Sequence, residues 1–236
     1  MSQSCNHRPA VDYRCYFVTG RPSGSGAASQ RNIVETAAAA AQGGAGVIQV
    51  RSKPISAREL YELSQAVAEA VEKANPSTRV LIDDRLDVAL ALRSEGVAVH
   101  GLHIGQDDLP AHLCREMLGP DAILGLTTGT FDLVAAANEQ AAYLDYIGCG
   151  PFRTTPTKDS GRRPLGLSGY PELVALSQLP VVAIGDITAD DAAELAATGV
   201  SGLAVVRALM HADDPAAYAA AITRGFMAGA PEQERV

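Results

Sequence analysis

Tryptophan is absent from the 236 residues, and Phe, Trp and Tyr together make up only 5%. So sparse a set offers no row of aromatic faces on which single-stranded bases could stack. A basic excess is missing too: 19 Lys and Arg stand against 27 Asp and Glu, for a net charge of −8. Nucleic acid and anionic membranes both select a basic face, so neither is expected as the main partner. No apolar run reaches the ~18 residues that a bilayer-crossing helix needs. Met1–Val11 is polar and lacks the apolar stretch of a secretory signal. The four cysteines, Cys5, Cys15, Cys114 and Cys149, form no CxxC pair. In a chain this long they read as reduced thiols of a cytoplasmic protein. At 47% hydrophobic residues, the chain can bury a core without metals or disulfides to hold it.

What is present is alternation. Short β-branched runs at Cys15–Thr19, Val47–Val50, Val80–Asp83, Leu102–Ile104, Ile123–Leu126, Tyr146–Gly148, Val181–Ile184 and Gly202–Val205 read as strands. Between them, apolar residues at i, i+3, i+4 predict helices over Ile33–Gln42, Ala57–Lys73, Leu86–Arg93, Ala111–Leu118, Leu133–Gln140, Pro171–Ser177, Asp190–Ala197 and Pro215–Thr223. Ser56, Asp132 and Thr188 stand where N-caps belong, and Gly43, Gly44, Gly46, Gly119 and Gly199 where helices stop. Such βαβ units imply a parallel sheet, and this many of them match a closed (β/α)8 TIM barrel. An open doubly wound sheet is the competitor. Its GxGxxG signal is not supported, because the glycines of Gly20-Arg21-Pro22-Ser23-Gly24-Ser25-Gly26 are wrongly spaced. One domain over residues 13–226 is expected, with residues 1–12 and 227–236 as loose tails.

In a parallel barrel, chemistry gathers where strands end. The second strand runs into Gln49-Val50-Arg51-Ser52-Lys53, and period-2 alternation puts Gln49, Arg51 and Lys53 on one side. An amide and two cations there suit a phosphate or diphosphate, although a solvated basic turn has the same composition. The third strand ends in Asp83-Asp84-Arg85 and the fourth in Gly105-Gln106-Asp107-Asp108-Leu109-Pro110. Carboxylates from neighbouring strand ends can share Mg²⁺ with substrate phosphates. The plainer reading makes Asp107 or Asp108 an N-cap ahead of Pro110. After the sixth strand comes Gly148-Cys149-Gly150-Pro151-Phe152-Arg153-Thr154-Thr155-Pro156-Thr157-Lys158, then Arg162 and Arg163. A loop of about fifteen residues with glycines, hydroxyls and a lysine reads as a phosphate-binding loop rather than a surface excursion. His100 and His103, three apart, read as packing residues rather than a metal pair.

These residues resemble the thiamine phosphate synthase family, (β/α)8 enzymes of the thiazole tautomerase superfamily, from about Tyr16 to Leu209. The marks are Tyr16-Phe17-Val18-Thr19, Gln49-x-Arg51-x-Lys53, Asp83-Asp84-Arg85, Gly105-Gln106-Asp107-Asp108-Leu109-Pro110, Gly148-x-Gly150-Pro151 and Thr155-x-Thr157-Lys158. The resemblance implies a transferase that joins hydroxymethylpyrimidine diphosphate to thiazole phosphate and releases pyrophosphate. It implies that Gln49, Arg51 and Lys53 bind the pyrimidine diphosphate, with Asp83 where the family usually has Asn. Asp84 and Asp108 would hold Mg²⁺, and Thr127 would contact the pyrimidine. Thr155 and Thr157 would bind the thiazole phosphate and Lys158 the diphosphate, with Arg51, Lys53 and Lys158 as the catalytic cations. Gly185, Asp186, Val206 and Arg207 fall on the thiazole phosphate site. A homo-oligomer is an expectation from the family alone.

Two positions depart from the pattern: Asp186 stands where the family has a second glycine, and Arg207 where it has Ser. Either the two pair, or Arg207 takes over the phosphate while Asp186 turns away. The segment Gly96-Val97-Ala98-Val99-His100-Gly101 is also about five residues longer than family spacing; it is harmless if it bulges at the far end of the barrel. A thiazole tautomerase is the first alternative, although its acid/base His falls on Gly129. A non-catalytic barrel binding a phosphorylated ligand is the second.

Overall fold

The computed structural model describes residues 10–20, 27–154 and 161–231. In chain order they form β1 (Tyr16–Val18), α1 (Ala27–Gln42), β2 (Val47–Val50), α2 (Ala57–Ala74), β3 (Arg79–Asp83) and α3 (Leu86–Ser94). Next come β4 (Gly101–Ile104), α4 (Ala111–Leu118), β5 (Ile123–Thr128), α5 (Phe131–Glu139), β6 (Tyr146–Cys149) and α6 (Gly166–Leu176). The chain closes with β7 (Val181–Ile184), a 3-10 turn and α7 (Ala192–Ala196), β8 (Gly202–Val205), α8 (Arg207–Met210) and α9 (Pro215–Gly229). Each strand pairs in parallel with the next, and β1 pairs with β8, so the sheet shuts into an eight-stranded barrel.

Strand alternation divides the core in two. Phe17, Ile48, Ile82, Leu102, Leu124 and Leu203 point outward into the layer beneath the helices. Tyr16, Val47, Leu81, Ile123, Tyr146 and Val182 fill the barrel interior. The helices supply the other half of the outer layer. On α2, Leu60, Leu63, Val67, Ala68 and Val71 are buried, each large apolar side chain worth about 1.5–3 kcal/mol in transfer free energy. Ser56 opens that helix with a full capping box: its Oγ accepts from Glu59 N at 3.2 Å, and Glu59 accepts from Ser56 N at 3.0 Å.

The open doubly wound alternative drops out because the sheet is closed; residues 21–26 lie outside the described residues. Asp132 is not the cap of α5: β5 runs on to Thr128, and Thr130 accepts from Leu133 N at 3.3 Å. Helix α6 starts at Gly166, so Pro171 lies inside it rather than at its start. Buried Tyr170 draws that extra turn against the sheet. α8 carries too short a pattern to have been expected. The barrel also extends past the expected tail, because α9 reaches Gly229 and Ala230 is buried.

The long segment after α3 lies at the N-terminal end of the strands, away from the strand ends of the mouth. There His100 Nδ1 accepts from Val80 N at 3.0 Å, while His100 N donates to Val80 O at 2.7 Å. Burial, and then the charges of Arg79 and Arg93, push the imidazole pKa down to about 4. An unfolded chain takes up this proton near pH 6.5, the native one only near 4. Stability is therefore greatest above pH 6.5 and falls as the pH drops from 6.5 towards 4. Replacing His100→Asn keeps an acceptor but removes the titration. The loss of Tm between pH 7 and pH 4.5 should be smaller in the variant; equal losses would contradict this account.

Candidate active site

The mouth is built from residues that alternation sends inward at the ends of β2 and β3. Gln49, Arg51 and Asp83 line one open cleft. Thr19 ties Arg51 down, its Oγ1 accepting from Arg51 N and donating to Arg51 O, each at 2.8 Å. Asp83 is 7% exposed. Its Oδ1 accepts from Gln49 Nε2 at 2.5 Å, and its Oδ2 lies 3.2 Å from Lys53 Nζ and 3.6 Å from Arg51 Nε. Burial, then the neighbouring Asp84, push its carboxyl pKa up, while Lys53 and Arg51 oppose the shift. Burial draws the Lys53 pKa down, but Asp84 and Asp83 outweigh it and hold the ammonium charged.

Asp84 has φ 60, the left-handed conformation that Asp tolerates better than most residues. Its N–H donates to His103 O at 2.8 Å, and its carboxylate pairs with Lys53. Asp108 folds back over its own turn, Oδ2 accepting from Gly105 N at 2.6 Å. It caps no helix: the residue before α4 is Pro110, without a side-chain bond. Burial raises the Asp108 pKa, and Asp84 beside it raises it further. Asp84, Asp108 and Lys53 thus share the rim just outside the cleft lining. Two crowded carboxylates facing an open mouth fit Mg²⁺, which takes one or two protein carboxylates and fills its shell with water and phosphate. Among the described residues no group of three or more His, Cys, Asp or Glu is placed to hold a metal by protein alone.

At the ends of β7 and β8 lie Gly185, Asp186, Val206 and Arg207, all on the cleft. Gly185 has φ 118, and a Cβ there would come 2.6 Å from Phe152 N, so no side chain fits. Asp186, at φ 57, pairs with Arg207. Of the two alternatives stated above, pairing is the one found. Arg153 Nη1 donates to Asp186 O at 3.3 Å and to Asp191 Oδ2 at 2.8 Å, with its guanidinium 4.4 Å above the Phe152 ring. Val18, Val182, Ile184 and Ala204 give the cleft an apolar floor. Thr155, Thr157 and Lys158 lie outside the described residues.

The interior holds polar residues to which the strand-end reading gave no site role: Tyr16, Tyr146 and His103 line the same cleft, joined by Arg162 of the loop after β6. Arg162 donates to Thr128 O. His103 does more than pack: Nδ1 lies 2.8 Å from Tyr146 Oη and Nε2 2.9 Å from Thr127 Oγ1. The sequence carried one signal for this, a His and two Tyr at inward parity with glycines among their neighbours. A Cβ on Gly125 would sit 2.1 Å from Tyr146 Cζ.

A closed parallel barrel whose mouth joins two cation-bearing rims over an apolar floor places the chain in the class of (β/α)8 barrel enzymes. Residues 15–209 match the family described as thiamine monophosphate synthase. The thiamine-phosphate synthase of Corynebacterium jeikeium is 62% identical over 217 residues, which span 92% of this chain and 96% of that protein. That of Corynebacterium efficiens is 61% identical over 222 residues, 94% of this chain and 99% of the other. Among solved structures, a thiamine phosphate pyrophosphorylase from Pyrococcus furiosus superposes with a TM-score of 0.72 at 29% identity, covering 91% of this chain and 96% of its own. The chain belongs to the thiamine monophosphate synthase family and is an enzyme of thiamine biosynthesis.

Gly125 tests the interior directly. Gly125→Ala must push the Tyr146 ring aside, an overpacking cost of about 1–3 kcal/mol. Denaturant midpoints should fall accordingly; an unchanged midpoint would mean that the ring moves freely.

Proposed function

We propose that this chain joins a pyrimidinylmethyl diphosphate to a thiazole phosphate, forming thiamine phosphate and releasing pyrophosphate. The single observation that carries this reading is one cleft with an Arg51–Lys53–Asp83 rim on one wall and an Arg207–Asp186 rim on another. Two phosphorylated partners can then lie over a shared apolar floor with their reacting atoms close. The C–O bond to diphosphate breaks with its electron pair on oxygen, and the thiazole nitrogen lone pair makes the new C–N bond. No proton has to move.

The side chains suit that balance. Burial pushes the Tyr16 and Tyr146 hydroxyls well above their usual range and Cys149 up to about 11, so none is poised as base or nucleophile. Arg51 and Lys53 face the charge that grows on the departing diphosphate. Asp84 and Asp108 would hold Mg²⁺, which when bound supplies further positive charge against that leaving group. Thr127 contacts the pyrimidine, and Thr155, Thr157 and Lys158 complete the phosphate contacts. Gly185 and Val206 shape the wall on which Arg207 meets the thiazole phosphate.

An isomerase of the tautomerase kind is disfavoured at position 129. Gly129 has φ 138, and a Cβ there would lie 2.2 Å from Gly150 O, so no catalytic His fits. Among the described residues no helix is long and apolar enough to cross a membrane. Cys15, Cys114 and Cys149 are buried free thiols. Free buried thiols support a place in the reducing cytoplasm.

With both substrates and Mg²⁺, purified protein should release pyrophosphate. Asp84→Asn and Asp108→Asn should each lower kcat by about 10²-fold or more, the scale of losing a preorganised charge contact. A fully active Asp84→Asn would remove the metal assignment. Arg207→Ser should raise KM for thiazole phosphate about tenfold, the scale of one charge-assisted bond; an unchanged KM would remove Arg207 from the phosphate site.

A further inference from the structure

Consecutive carbonyls on the β7 wall are held from behind by a single residue. Arg153 N donates to Gly185 O at 3.1 Å, and Arg153 Nη1 donates to Asp186 O at 3.3 Å. Just before it, Phe152 N donates to Ile184 O at 2.8 Å. The guanidinium is aimed in turn. Its Nη1 donates to Asp191 Oδ2 at 2.8 Å, its Nη2 to Asp191 Oδ1, and the Phe152 ring lies 4.4 Å away beneath it. Asp191 is buried, and its Oδ2 accepts from Thr188 N and Thr188 Oγ1, each at 2.9 Å. Burial pushes the Asp191 carboxyl pKa up, but Arg153 and then Thr188 outweigh it and hold the acid below its usual range. The bonds close a ring that runs from Asp186 through Arg153 to Asp191 and Thr188, then back along the chain.

We infer that Arg153 and Asp191 are positioning residues for the thiazole phosphate: Asp191 aims the Arg153 fork at the Asp186 carbonyl, which keeps Asp186 and its partner Arg207 at the mouth. The inference rests on the reading above and deepens it. Arg153 and Asp191 do not line the cleft, so they act through Asp186 rather than on the substrate. Asp186 stands at φ 57, a conformation that a residue with a side chain keeps only where its surroundings fix it. A guanidinium can serve Asp186 O and both oxygens of Asp191 together because its donors lie in one rigid plane. An ammonium is a point charge on a flexible stem and must choose between them. Charge alone cannot therefore replace Arg153.

Arg153→Lys keeps the charge and loses the fork. It should raise KM for thiazole phosphate about fivefold, the scale of one hydrogen bond, with kcat and KM for the pyrimidine diphosphate unchanged. Asp191→Asn should do the same. The double variant should do no more than either single one, because both act on one carbonyl. Thr188→Val drops one bond to Asp191 and leaves the Arg153 pair, so it should lower Tm and leave the kinetic constants alone. An unchanged KM in Arg153→Lys overturns the inference, and so do additive effects in the double variant. An equal rise of KM in Thr188→Val also overturns it, since the shift would then follow stability. The grip is visible without substrate. In ¹⁵N spectra of the substrate-free protein, the Arg153 Nη nitrogens should give separate signals, because a guanidinium held at both cannot rotate, and Asp191→Asn should merge them. One averaged signal in the wild type overturns the inference. Calorimetric titration with thiazole phosphate should show the same fivefold loss in Arg153→Lys. A wild type that releases no pyrophosphate thus refutes the proposed reaction and still leaves the inference decided by titration, whereas an active wild type with an unchanged KM in Arg153→Lys refutes the inference alone.

Discussion

A carboxylate almost wholly removed from water is the constraint around which this barrel mouth is arranged. Leaving Asp83 buried without partners would cost several kcal/mol, on the order of 3–5 when one member of a buried pair is lost. The parallel register of β2 and β3 meets that demand. Val50 pairs with Ile82, so Arg51 arrives one step further on beside Asp83. Gln49, inward on the same strand, reaches Oδ1, and Lys53 closes over Oδ2 while also holding Asp84. Arg51 and Lys53 are thus placed at the mouth by the same side chain that needs them.

The wall at β7 and β8 repeats the logic with a looser pair. Asp186 and Arg207 are each more than 30% exposed at the side chain, and ion pairs so exposed contribute only about 0–1 kcal/mol. On the proposed function, an incoming phosphate would exchange for Asp186 at little cost, Arg207 would keep a charge-assisted partner throughout, and the released carboxylate would stay in water. Arg153 differs, gripping an Asp191 whose side chain is only 9% exposed, and Arg162 donates to the Thr128 carbonyl. On the proposed function, a chain of net charge −8 would hold anions in this way: the local arrangement of donors decides binding, not the total charge.

The barrel itself was legible in the sequence, because eight inward–outward strands separated by amphipathic helices leave few alternatives. Strand limits differ by only a residue or two at most ends, as with Val80–Asp83 against Arg79–Asp83. The charged strand ends were legible too, since Arg51, Lys53, Asp83, Asp84 and Asp108 interrupt apolar runs. What escaped notice was the interior chain through Tyr16, Tyr146 and His103. Those side chains sit inside apolar strands and look like packing until closure brings β1, β2, β4, β5 and β6 round one axis. Helix limits failed where tertiary contact overrode propensity, as at Pro171 and Thr130.

The two ends of the barrel carry different burdens. At the N-terminal end, His100 binds back to Val80, and Arg115 donates to the carbonyls of Tyr143, Gly119 and Ala122 while pairing with Asp145 at 2.6 Å. That end can absorb the extra residues after α3 because its loops only return the chain to the next strand. At the mouth, by contrast, stand the non-glycine residues with positive φ among those described, Asp84 and Asp186. Each follows a strand and turns the chain sharply, so that the residue before it lines the cleft. In the sequence Asp83-Asp84 this aims a carboxylate inward; in Gly185-Asp186 it leaves bare backbone packed against Pro151 and Phe152. Left-handed backbone is an unfavourable choice for a side chain. It persists here at the two points where turning one residue later would move the Asp83 carboxylate, or the Asp186 partner of Arg207, off the mouth.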